Sequence, residues 1–162
     1  MGLDMHLYKK TYVKNWEHMS EKEKHQVIVT KNGEPVKNIK PERVAFIVEE
    51  VGYWRKANAI HKWFVDNIQK GEDDCKEYYV EWGYFEKLID LCKQVLENHD
   101  LADELLPSQS GFFFGSTDYN EYYFKDLEHT VEIYDELFKE TLVSGRTGET
   151  YLDGYLYYNS SW

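Results

Sequence analysis

Two hydrophobic periods divide this chain, and they constrain its fold more than any single residue does. In the opening GLDMHLYKKTYV, Leu3, Met5 and Leu7 fall on one side and Asp4, His6 and Tyr8 on the other. That is the two-residue period of a strand with one buried face. Farther along, apolar residues recur every three to four positions, the period of an amphipathic helix. One stripe is Ala57, Ile60, Phe64 and Ile68; a second is Phe85, Leu88, Ile89, Cys92, Val95 and Leu96; a third is Tyr123, Leu127, Val131, Tyr134 and Phe138. They predict a helix from Trp54 or Arg55 to about Gln69, ended by Lys70-Gly71, another over 82–98, and a third reaching about Glu140. Asp118 with Glu121 three residues on predicts a capping box for the third.

Strands are expected between them. His25–Lys31 is β-branched and meets the turn pair Asn32-Gly33. Residues 41–51 fit helical spacing at Val44, Ile47, Val48 and Val51 and serve equally as a buried strand; the strand is preferred, with Gly52-Tyr53 as its exit. Cys75–Val80, the glycine-fenced Gly111–Gly115 and the aromatic Tyr151–Trp162 complete the set, with a polar excursion at 15–24 and a turn at 144–148. No βαβ rhythm emerges. The expected class is α+β: one domain over residues 1–162, with one mixed or antiparallel sheet and about three helices packed mainly on one face.

Charge narrows the function. The chain of 162 residues carries a net −11, which opposes general nucleic-acid binding. Residues 1–70 nevertheless hold thirteen Lys and Arg against nine Asp and Glu, whereas residues 71–162 hold six against twenty-one. A small anion is therefore better received by the first part. Cys75 and Cys92 form no CxxC pair, and no apolar run approaches the ~20 residues of a membrane helix. The expectation is a cytosolic protein with free thiols and no membrane partner. The six histidines show no HxxxH or HExxH spacing, so neither a metal nor a cofactor is expected. The fourteen tyrosines and aromatic C-terminus are consistent with a homodimer.

Two stretches carry candidate binding chemistry. In GYWRKANAIHKWFV, a helix would align Trp54, Asn58, His61 and Val65, with Arg55 and Lys62 on a neighbouring face. Tyr53 and Trp54 offer stacking surfaces, Arg55 and Lys56 charge-assisted hydrogen bonds, and Asn58 and His61 further polar contacts. An ordinary amphipathic helix with His61 at the edge of the core accounts for the same residues. The second stretch is GFFFGSTDYNEYY, where Ser116, Thr117 and Tyr119 could line a pocket as neutral donors at a helix N-terminus.

The segments MGLDMHLYKKTYV, VEEVGYWRKANAIHKWFVDNIQKGEDDCKEYYV and SGFFFGSTDYNEYYFKDLEHT resemble a family of small bacteriophage and prophage accessory proteins to which no activity is assigned. The resemblance implies an accessory role in the cytoplasm of an infected bacterium. Small phage proteins of this kind include some that sequester nucleotide signals of host defence without chemistry. The expected function is non-enzymatic binding of a small anionic, nucleotide-like molecule. An enzyme acting on nucleotides or phosphoesters, with His61 as acid/base, is the first alternative. A protein–protein inhibitor that sets the tyrosine-rich, acidic second half against a basic host factor is the other.

Overall fold

The structure, a computed structural model, describes residues 2–162. Its centre is a four-stranded antiparallel sheet in the order β4-β1-β8-β5, built from β1 (Asp4–Tyr12), β4 (Phe46–Arg55), β5 (Tyr78–Val80) and β8 (Tyr155–Ser161). Two small hairpins flank it. In β2 (Thr30–Lys31) and β3 (Glu34–Pro35) the pair Asn32-Gly33 has φ of 52° and 80°, the left-handed turn that such a hairpin requires. The second joins β6 (Thr141–Val143) to β7 (Thr150–Leu152). Three long helices, α1 (Asn58–Asn67), α2 (Trp82–Glu97) and α4 (Glu121–Phe138), and a single turn, α3 (Ala102–Leu105), complete the described α+β fold.

Alternation in β1 sorts the sheet into two faces. Leu3, Met5 and Leu7 join Trp54, Val80, Leu156 and Tyr158 in one continuous core, over which the helices lie. Phe64 of α1 stacks on Tyr158 with ring centroids 3.9 Å apart. Helix α2 contributes Phe85, Leu88, Ile89, Cys92 and Val95, and α4 contributes Tyr123, Leu127, Ile133 and Leu137. Burial raises the pKa of the Cys92 thiol, leaving it a packing residue. The opposite face carries His6, whose ring meets those of Tyr8 and Tyr53, and the pair Tyr79 and Tyr157.

Three expectations are corrected. First, β4 does not exit at Gly52 but runs on to Arg55, so Trp54 and Arg55 lie on a strand and the helix starts at Asn58. Gly52 is where α4 comes closest: an added Cβ would lie 3.0 Å from Ile133 Cδ1 and 3.2 Å from Leu7 Cβ. The register also slips between Leu7 and Tyr8, a bulge that lets the strand continue past the glycine. Second, Gly111–Gly115 is a turn and not a strand. Only Phe114 of its three phenylalanines is buried, and Phe112 is almost wholly exposed. Third, the cap of α4 is Asn120, whose side chain accepts from the backbone N–H groups of Tyr122 and Tyr123. Asp118 instead accepts from the Ser116 hydroxyl.

Among the described residues, no helix is long and apolar enough to cross a membrane.

A candidate anion-binding cleft

The two stretches singled out in the sequence meet in space, and Asn58 joins them. Its amide nitrogen donates to the carbonyls of Phe114 (3.0 Å) and Ser116 (2.8 Å), and its amide oxygen accepts from Gln109 N–H (3.0 Å). A buried amide satisfied on both sides clamps the 109–116 loop to the start of α1. Lys56, at the β4–α1 junction, has φ +60°, uncommon for a residue with a side chain. Its N–H donates to Leu3 O and its carbonyl accepts from Asn58 N–H, which hold that conformation in place. Gly115, at φ +84°, lies against it; an added Cβ would be 3.2 Å from Lys56 Cβ.

Between this junction and the first turns of α4 lies a cavity of about 340 Å³. Arg55 and Lys56 line one side, Ser116 and Asp118 another, and Tyr122, Lys125 and Asp126 the third. Arg55 is 3.4 Å from Asp4, and Lys125 is 2.9 Å from Glu121. Among the described residues the Lys56 ammonium has no carboxylate partner. Tyr122 is 71% exposed and offers its ring to solvent at the rim.

Two carboxylates, Asp118 and Asp126, share the lining with these cations, and Asp126 is the less exposed of the two. Burial pushes its carboxyl up to about 6, against a smaller opposing effect of His129. Its backbone carbonyl accepts from the Thr130 hydroxyl, while the carboxylate itself has no hydrogen-bond partner among the described residues.

The remaining candidates lie outside the cleft. Trp54 is 2% exposed, donates to Thr130 Oγ1 at 2.9 Å, and has no face open to a ligand. Tyr53 belongs to the open face of the sheet, its hydroxyl bonded to Asp4. Thr117 accepts through its backbone from Ser108, and the Tyr119 hydroxyl donates to Asp103 at 2.7 Å. His61 is fully buried, with Nδ1 2.7 Å from the Tyr158 hydroxyl and Nε2 2.9 Å from Asp73 Oδ2. Asp73 also accepts from the Trp162 indole at 3.1 Å. This network ties α1, the 73–75 loop and the end of β8 together, and it occupies both ring nitrogens of His61.

Tyr122, Lys125 and Asp126 were not among the candidates read from the sequence. Their signal was faint: polar residues spaced three and four apart, one position before the buried stripe of Tyr123 and Leu127. Among the described residues, no group of three His, Cys, Asp or Glu side chains is placed to hold a metal ion.

Comparison with family models, curated proteins and solved structures finds no significant match. The site's own chemistry therefore carries the functional reading.

Proposed function

We propose that this protein binds a small anionic, nucleotide-like molecule in the cleft between the β4–α1 junction and α4, and holds it without transforming it. The observation that carries the reading is the convergence of Arg55, Lys56 and Lys125 on one cavity in a chain of net charge −11. Among the described residues Lys56 has no carboxylate to neutralise it, so an incoming anion meets a cation whose pairing energy is still available. The first turn of α4 adds the positive end of an 18-residue helix. Tyr122 supplies a ring for a base to stack on. At about 340 Å³ the cavity is at the small end of ligand sites, which favours a mononucleotide-sized occupant.

The resemblance to phage accessory proteins extends this to a role in the cytoplasm of an infected bacterium, where the occupant would be a host signal. His61, the acid/base of the enzymatic alternative, is buried and hydrogen-bonded at both nitrogens, which supports the non-enzymatic reading.

Calorimetry against a panel of mono- and cyclic nucleotides, with the ligand recovered and analysed by mass, tests the reading. Lys56→Ala should weaken binding by about 10- to 100-fold, the loss of one charge-assisted hydrogen bond, with the ligand recovered intact. Unaltered affinity in folded Lys56→Ala and Lys125→Ala variants refutes the site, and a converted ligand refutes the sequestration.

A further inference from the structure

A second cavity, larger and of opposite character, shares no residue with the first. It lies where β1 ends and β8 begins, between the start of α2 and the β6–β7 hairpin, and measures about 810 Å³. Four carboxylates line it, from Glu81, Glu86, Glu149 and Asp153, and no Lys, Arg or His does. None of the four takes part in an ion pair among the described residues; the one recorded partner is the Tyr134 hydroxyl, 3.3 Å from Glu86. The nearest cations are already committed. Lys9 sits on Glu49 and Glu140 at 3.1 and 3.2 Å, and Lys10 sits on Glu77 and over the Tyr157 ring.

Tyrosines complete the lining. Tyr79 and Tyr155, both about half exposed, face each other at 6.3 Å between ring centroids with a 57° tilt. Two angled phenol rings beside unpaired carboxylates are the chemistry that receives an ammonium or guanidinium group. The wall also contains Trp82, only 8% exposed, whose indole N–H is buried without an acceptor among the described residues. That N–H has essentially no accessible surface and is closed to a ligand, so the tyrosines and carboxylates carry the recognition. Among the described residues no three of these carboxylates are grouped to hold a metal ion.

We propose that this cleft binds an extended, Lys- and Arg-bearing peptide segment of a partner protein, its cationic heads set on the carboxylates and tyrosines. A peptide meets both features, because its guanidinium groups pair in bidentate fashion with carboxylates and stack on phenol rings. A linear polyamine carries only compact ammonium groups, which do neither as well.

The test is fluorescence anisotropy of labelled hexa-arginine, with unlabelled spermine as competitor. Two variants remove the same charge: Glu81→Gln/Glu149→Gln/Asp153→Asn within the cleft, and Glu17→Gln/Glu97→Gln/Glu104→Gln on exposed surface away from it. The cleft variant should bind about ten-fold more weakly or worse, while the surface variant changes by about two-fold or less. Equal losses in the two variants, or no binding by the parent, overturn the proposal, since net charge alone would then explain any attraction. Spermine that competes as strongly per charge as unlabelled hexa-arginine overturns the commitment to a peptide. Circular dichroism melts of both variants confirm that the comparison is between folded proteins.

Discussion

Asp126 offers the sharpest quantitative test of the cleft. Its carboxyl titrates near 6 in the folded protein and near 3.8 in the unfolded chain. The folded state therefore holds a proton that the unfolded state has released, and stability falls as the pH rises from about 4 to about 6. Above 6 the full cost of keeping the charged form in the cleft remains. At about 1.4 kcal/mol per pKa unit the ceiling is about 3 kcal/mol. Part of the carboxylate still meets water, and screening reduces this to about 1–2 kcal/mol. Asp126→Asn removes the charge at nearly constant shape, so it should stabilise the protein by that amount at pH 7.5 and leave it unchanged near pH 3.5. In a domain of this size the difference corresponds to a Tm rise of about 3–6 °C. Urea or thermal denaturation of parent and variant side by side measures it, because every other titrating group cancels in the difference. Equal stability of the two proteins at both pH values would refute the claim that this carboxylate is held in the cleft at a cost.

Other perturbations probe the elements that build the site. Thr130→Val leaves the buried Trp54 indole N–H without its acceptor and should cost about 1–3 kcal/mol; Thr130→Ser, which keeps the hydroxyl, should cost clearly less in urea melts. Gly52→Ala places a methyl group against Ile133 and Leu7 and should cost about 1–3 kcal/mol, with part of the loss recovered when Ile133→Val makes room; no recovery in the double variant would disprove the close approach. His61→Phe removes the bonds to Tyr158 and Asp73 and should lower the urea midpoint by an amount equivalent to about 2 kcal/mol or more. An unchanged midpoint would show that the histidine is not structural and would restore the enzymatic alternative. In the parent, affinity of the first cleft for an anion should rise as the pH is lowered through about 6, because protonation of Asp126 removes an opposing charge; a flat calorimetric profile would place the anion elsewhere.

Local pattern was sufficient wherever the chemistry of a segment is set by the segment itself. Leu3, Met5 and Leu7 announced a strand with one buried face, and the stripe from Phe85 to Leu96 announced α2 nearly to its ends. Asn32-Gly33 specified its hairpin because few other residue pairs tolerate two successive positive φ values. The pattern failed where two readings share the same residues. Tyr53, Trp54 and Arg55 continue the alternation of β4, yet they also begin a plausible helical stripe; only the register against β1 decides between them. Asp118 and Asn120 are both competent caps two residues apart, and the path of the 109–118 loop selects Asn120. Arg55, Lys56, Asn58 and Ser116 were legible as site candidates because unusual residue types cluster there, although the clustering did not show which of them face a cavity.

The order of periods along the chain thus determined the class of fold and most of its helices and strands, since burial of one face follows from spacing alone. Only the tertiary structure decided which polar groups remain available. Trp54 and His61 lost their availability to Thr130, Tyr158 and Asp73, partners 12 to 97 residues away, while among the described residues Lys56, in a cavity it shares with Tyr122 and Asp126 of α4, kept its charge unpaired. Whether a side chain is spent inside the molecule or left for a ligand depends on groups distant in sequence, and a helix or strand period carries no record of them.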